Sequence, residues 1–366
     1  MTDLSCTAAA VPPQVPPAPP IPHRKEIRAW LAPIAARSTA YALWLSLLDI
    51  TLFALALWAA VAAAHPVLQV LAGIGAGLVI ARLFILGHDA CHQSFTPHRG
   101  LNRWLGRLLF LPSLTPYSLW EVGHNVVHHG YTNLKGFDFV WEPLTLAEFR
   151  ALPRWRQGLE RVYRSGWAPW LYYLVEVWWV RMVFPGKRHM PTRRAVFTRD
   201  GLLVSAAAAL WAGGLAAAAL ATGQAVAWVL LVGFVLPFLV WNVMVGFVLY
   251  AHHTHTSIEW HADKASWSAA QPFVSTTVHL TFRSFVGAAL HHIMEHTAHH
   301  VDMSVPLYRL RQAQRLLEAR LPGRIVVQRF SLRWYFDTAR RCKLYDLQAR
   351  CWTDFDGRPT SPPATG

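Results

Sequence analysis

Acidic residues and paired cysteines are scarce in this 366-residue sequence, and each shortage closes off a class of protein. Its four cysteines (Cys6, Cys91, Cys342 and Cys351) form no C-x-x-C pair. That argues against a disulfide framework or a Cys-based zinc module and fits a reducing, cytoplasm-facing setting. Cys91 reads as a small filler. Asp and Glu number 20 against 34 Lys and Arg, a formal charge of +14. Nucleic acid is the reflex partner for such a balance. Here, though, the basic residues sit between apolar runs, where excess Lys and Arg marks the cytoplasmic side of a membrane protein. They suit anionic headgroups or an acidic redox partner, and no nucleic-acid partner is expected. The first residues carry no basic stretch followed by an apolar one, so no secretory signal is read there. No His-Pro-Gly-Gly haem signature occurs, so no cytochrome domain is expected to be fused. Gly73, Gly75 and Gly77 mimic a phosphate loop, but no strand precedes them. Only Glu121/His124 has the Glu-x-x-His spacing, of which a carboxylate-bridged di-iron bundle needs two.

What is abundant is apolar surface. Hydrophobic residues make up 54% of the chain, 18 of its residues are Trp, and mean hydropathy is positive. That composition points to a multi-span membrane protein. Spans are expected at about 41–64, 67–86, 202–222 and 225–250, with Gly73 and Gly77 forming a small-x-x-x-small packing face. Arg82 is expected to snorkel from the second span. The links after spans one and three carry no Lys or Arg, whereas fifteen lie between spans two and three. The spans therefore read as two hairpins dipping from the cytoplasm.

Residues 1–22 read as a Pro/Ala-rich disordered arm, and 23–37 as a basic lead-in along the membrane surface. Segments 101–116 and 167–184 read as interfacial helices, 143–164 as a basic surface segment, and 272–290 as grazing the membrane. Residues 305–320 form an amphipathic helix and 324–330 a short strand, and the tail from 360 is disordered. The domain plan is an arm at 1–40, a core at 41–320 and a C-terminal cytosolic extension at 321–366. The fold class is an all-α membrane protein, four transmembrane helices in two hairpins with a helical cytosolic cap.

The histidines organise the rest. Thirteen of 19 lie in four clusters: His88/His92, His124/His128/His129, His252/His253/His255, and His291/His292/His296/His299/His300. Four residues along an α-helix advance about 6 Å and rotate only ~40° off one face, so His88 and His92 reach one metal. His124/His128 repeats that spacing, and His296, His299 and His300 share a face. A zinc site takes about four ligands, so eight or nine imidazoles suit two metals with open positions. Imidazole alone does not choose among Zn, Cu, Fe and Ni. Asp89, Asp138 and Glu295 (with Glu121) adjoin the clusters and would fix imidazole tautomers. A metal transporter would place histidines within the spans along a path, and a membrane zinc hydrolase or receptor would need only about three.

The runs HDACH (88–92), HNVVHH (124–129), HHTH (252–255) and HTAHHVDMSVPLYRL (296–310) together resemble the membrane fatty acid desaturase family, most of all its acyl-lipid Δ12-type branch. The resemblance covers about residues 40–320. It implies a His-ligated pair of iron ions in the cap, using O2 and two electrons from an external donor such as a ferredoxin or a cytochrome to place a double bond in an acyl lipid. It implies as ligands His88, His92, His124, His128, His129, His296, His299 and His300. A ninth would come from the end of the fourth span, where His252, His253 and His255 all qualify and His253 is favoured. His252 stands where the family usually has Gln, and His292 where Asn often occurs. A related hydroxylase, ketolase or alkane monooxygenase would use equivalent chemistry. The expected setting is a bacterial cytoplasmic membrane, with the site facing the cytoplasm.

Overall fold

The computed structural model describes residues 20–183, 185–187, 190, 192–283 and 285–364. The arm expected at 1–22 therefore lies almost wholly outside the described residues. Among the described residues, four helices are long and apolar enough to cross a membrane: Thr39–Ala62 (α2), Pro66–Cys91 (α3), Ala195–Ala221 (α9) and Val226–His253. The fourth consists of α10 (Val226–Leu230), a π-helical turn over Leu231–Val235 and α11 (Leu236–His253). The π-turn sits just before Pro237, which has no N–H to give the carbonyl four residues back. Large apolar side chains such as Leu47, Trp58, Leu210 and Leu220 face outward from α2 and α9, as a lipid-facing surface requires.

Two boundaries differ from the sequence expectation in a way that matters. α3 continues past residue 86 to Cys91, and the fourth span runs on to His253. His88 of the first cluster and His252 and His253 of the third are therefore in the last turns of the spans themselves. At the far end the hairpin tips are latched: Gln69 Nε2 donates to Gln224 Oε1 (2.8 Å), and Gln224 Nε2 to the Val61 carbonyl (2.9 Å). Both tips thus lie at one end of the bundle and the histidines at the other.

The cap begins with α1 (Arg24–Leu31). Its apolar residues Ile27 and Leu31 are fully buried in the main core and not spent on lipid, so the lead-in docks on the cap instead of lying along a membrane surface. After α3 come α4 (Arg99–Phe110) and α5 (Tyr117–Trp120), which passes directly into a π-helix, Glu121–His128. Then follow α6 (Leu146–Ala151), α7 (Arg154–Tyr163) and α8 (Pro169–Tyr172), the last extended by a π-helix over Tyr173–Val183. Segment 143–164 is not wholly surface: Glu160 and Arg164 are a buried ion pair (3.2 Å). Nor is the helix after residue 167 merely interfacial, since Tyr172, Tyr173, Val177 and Trp178 are buried in the aromatic core with Trp241 of α11.

Beyond the fourth span lie α12 (Lys264–Ala270), strand β1 (Val278–Thr281), α13 (Val286–Ala289), α14 (His296–Val301), α15 (Leu310–Arg320), strand β2 (Val326–Arg329), α16 (Leu332–Arg341) and strands β3 (Leu344–Asp346) and β4 (Cys351–Thr353). β1 pairs with β2 in parallel, Val278 opposite Val326, so the stretch expected to graze the membrane instead supplies a strand. The tail is ordered through Ala364: Thr360 N donates to Trp352 O (2.8 Å) and Trp352 N to Ser361 Oγ (2.9 Å). The sheets are too small to alter the helical class.

α3 meets the fourth span through glycine. A Cβ on Gly77 would lie 2.5 Å from Val240 Cβ and 2.7 Å from Pro237 O, and one on Gly73 only 2.3 Å from Val232 O, whereas Gly75 has open space. Gly77→Ala should therefore cost about 1–3 kcal/mol and lower the thermal midpoint in detergent, while Gly75→Ala leaves it unchanged or slightly raised. Equal midpoints for the two variants would contradict this packing.

Candidate metal centre

Four elements deliver the histidines, and their local geometry decides which ones meet. His88 is on the last turn of α3 and His92 caps it, an ordinary i, i+4 pair, Nε2 to Nε2 3.1 Å. The HNVVHH run differs from expectation because it is π-helical. Hydrogen bonds there close from i+5 to i, as in His129 N to His124 O (3.0 Å). Residues five apart, not four, now share a face. His124 and His129 therefore face each other (Nε2 to Nε2 3.1 Å) and His128 turns elsewhere. On α14 the expected common face also splits, with His299 going to one group and His300 to the other.

The result is two clusters of ring nitrogens. His88, His92, His124, His129 and His299 form the first, and His128, His253 and His300 the second, with the nitrogens of each cluster within 4.8 Å of one another. His296 joins the second through His253 (Nε2 to Nε2 3.2 Å). In the first cluster His88 Nε2 is 2.6 Å from His124 Nε2, and His299 Nε2 is 3.1 Å from His129 Nε2.

Hydrogen bonding does not satisfy this arrangement. A neutral imidazole has one N–H, and an N–H points at one acceptor. His88, His124 and His129 each face two other nitrogens through Nε2. Charging the rings is disfavoured as well. Burial, aided by like-charge neighbours, pushes His124, His129, His296, His299 and His300 well below the ordinary histidine range. What remains is a set of neutral donors converging on a point, which is what a cation needs. Nitrogens about 3 Å apart are the spacing that two bonds of about 2.1 Å give when they meet near a right angle. The residues present fit a pair of metal ions.

The outer contacts fix tautomers. Asp138 Oδ1 accepts from His128 Nδ1 (2.8 Å), and backbone N–H groups of Val140 and Asn133 hold that carboxylate. Nδ1 thus carries the proton, and His128 Nε2 is bare, buried and without a protein partner. Thr132 Oγ1 donates to His128 O (2.7 Å), so it is free to accept from His300 Nδ1 (3.3 Å). His300 Nε2 is left in the same state. Trp120 stacks on His124, centroids 4.8 Å apart.

Other residues expected at the site lie beside it. His252 stacks on His296 (centroids 4.1 Å) and its Nε2 meets Met294 Sδ (3.2 Å), outside both clusters. His255 points away, against Trp334, its Nδ1 accepting from Ser257 N. Asp89 accepts from Ser94 Oγ (2.8 Å) and touches no clustered ring. Glu295 pairs with His292 (3.1 Å), not with a clustered ring.

The sequence reading missed what aims α14. His291 and His292 both hold left-handed backbone (φ 48° and 60°), a cost of about 1 kcal/mol or more each. His291 Nε2 bonds Asp49 Oδ2 (2.6 Å) inside the first span, and Asp49 Oδ1 pairs with Arg82 Nη2 (2.7 Å). Arg82 also donates to the Ala289 carbonyl. It is thus paired within the bundle and does not snorkel. A lone acid in one apolar span and a lone base in its hairpin partner was the available signal.

Asp138→Asn should weaken metal retention about 10–100-fold, because the amide holds the His128 tautomer less firmly. Metal remaining after graded chelation measures it, and retention equal to the parent would contradict the assigned contact.

A model of the Fatty acid desaturase family matches residues 63–331, which include every clustered histidine. The sn-1 oleoyl-lipid 12-desaturase of Arthrospira platensis is 29% identical over 254 residues, 69% of each chain. The protein of the same name from Synechocystis sp. is 28% identical over 276 residues, 75% of each. The chloroplastic Omega-6 fatty acid desaturase of Glycine max is 27% identical over 272 residues, 74% of this chain and 61% of that one. The match spans well over half of the sequence and takes in both nitrogen clusters, and the chain belongs to the fatty acid desaturase family.

Proposed function

We propose that the chain is a membrane acyl-lipid desaturase of Δ12 type that holds two iron ions between its histidine clusters. The observation that carries this reading is the position of the clusters at the end of an apolar cavity. A narrow space of about 70 Å3 lies between α3 and α11, walled by Phe84, Ile85, Met244, Val248 and Ile293, with His88, His124, His128, His253 and His296 at its metal end. Such walls take a methylene chain and exclude water. The first iron would be held by His88, His92, His124, His129 and His299, and the second by His128, His253, His300 and His296. When bound, the iron pair supplies the oxidation by which O2, two electrons and two protons become two waters while adjacent methylenes lose two hydrogens. The protein's own work is positional. The α3 and α11 side chains hold the acyl chain at a fixed depth, and Asp138 and Thr132 keep the protons of His128 and His300 on Nδ1.

Relatives named as oleoyl-lipid 12-desaturases support the lipid substrate and the Δ12 position. The bias of Lys and Arg away from both hairpin tips supports a multi-pass protein whose site faces the cytoplasm; the membrane we propose is a bacterial cytoplasmic one. Electrons come from a separate donor such as a ferredoxin or a cytochrome. Expression in a host rich in oleoyl lipids, with fatty acids profiled by gas chromatography, should show a second double bond appearing. His296→Ala, still inserted in the membrane, should return the profile to that of the untransformed host. Hydroxylated or ketolated products in place of the diene would overturn the desaturase reading in favour of a related oxygenase.

A further inference from the structure

The basic helix α1 does two things at once. Arg24 Nη2 donates to the His300 carbonyl (2.7 Å), and Arg24 Nε (3.2 Å) and Arg28 Nε (3.1 Å) both donate to the Val301 carbonyl. These guanidinium groups therefore satisfy the C-terminal carbonyls of the short helix that carries three clustered histidines. The same residues, with Lys25, form one wall of a depression of about 370 Å3, whose opposite wall includes Trp267 and Phe273. None of the described side chains lining it is acidic. Lys25 is exposed and has no carboxylate partner among the described residues. A guanidinium stays protonated at neutral pH, so Arg24 and Arg28 keep their positive charge.

Each wall of this depression is connected to the metal end by a short route. One is the Arg24–His300 carbonyl bond. The other runs from Trp267 Nε1 to Thr132 O (2.8 Å), and from Thr132 Oγ1 to His300 Nδ1 (3.3 Å). Both end on His300, whose bare Nε2 belongs to the second cluster. Arg28 Nε lies 4.0 Å from Asp302 Oδ1, and on α16, another basic face of the cap, Arg340 and Arg341 both meet Asp337, so Lys25 is a charge of the α1 face that no carboxylate meets among the described residues.

We propose that the depression between α1 and α12 is the docking surface of an acidic one-electron carrier protein, which reduces the metal pair by way of His300. This inference rests on the desaturase reading and assigns the place where its electrons enter. Each docking event oxidises the carrier by one electron and reduces the metal pair by one, and two events supply one double bond. Complementary charge steers the encounter, so the association is strongest at low salt.

The test is binding of an acidic [2Fe–2S] ferredoxin to the full-length, iron-loaded enzyme in detergent, at low and at physiological salt. Lys25→Glu/Ser268→Glu places two negative charges on the rim and should weaken the Kd at least about tenfold and flatten its salt dependence. Arg333→Glu/Arg340→Glu on α16 should leave the Kd within about twofold of the parent. Iron content, measured on every variant, should not change. An affinity indifferent to the Lys25/Ser268 pair, or lowered as much by the α16 pair, overturns the docking surface. So does a result in which the Lys25/Ser268 pair abolishes binding to phosphatidylglycerol vesicles but leaves ferredoxin binding intact. Absence of iron from the parent protein removes the desaturase reading itself. Iron present with ferredoxin binding unmoved removes only this inference.

Discussion

The structure depends on bare ring nitrogens brought within about 3 Å of one another in a buried setting. Neutral imidazoles cannot all be satisfied by one another in that geometry, and burial opposes charging them. Each buried acceptor left without a partner costs about 1–3 kcal/mol, and a domain's whole net stability is about 5–15 kcal/mol. Several such atoms in one place are tolerated only where a cation meets them.

The rest of the fold answers that demand. Two apolar hairpins, latched at their tips by Gln69 and Gln224, end together at the other side, and α3 and α11 bring His88, His92 and His253 there. The π-helix over Glu121–His128 sorts its three histidines between two clusters, which a regular helix would not do at this spacing. The left-handed turn at His291 and His292, tied to Asp49, and the guanidinium groups of Arg24 and Arg28 fix the two ends of α14. A charge pair inside the bundle and a cationic helix outside it thus act on the same six-residue helix.

Much of this could be read from the sequence, because hydropathy and the metal affinity of histidine are local properties. The four spans, the hairpin pairing and the convergence of the boxes follow from apolar run length, Lys/Arg placement and residue spacing. The π register does not, because over eight residues it has the same apolar pattern as an α-helix. At Gly123 it runs so close to residues later in the chain that a Cβ would lie 2.9 Å from Met182 Cε and 3.3 Å from Phe139 Cζ. The amphipathic pattern of 23–37 could not say whether its apolar face meets lipid or protein, and Ile27 and Leu31 meet protein. Asp49 was passed over because its partners Arg82 and His291 are 33 and 242 positions away. The Pro-rich end read as disordered, yet the backbone and hydroxyls of Thr360 and Ser361 tie it down.

The most direct measurement is the metal content of the purified full-length protein, by elemental analysis together with Mössbauer spectroscopy. Two clusters of neutral nitrogens predict about two metal ions per chain, and the desaturase reading predicts that both are iron. A single zinc ion per chain, or two iron ions that both stay bound when His128 and His300 are replaced by Ala, would contradict the account.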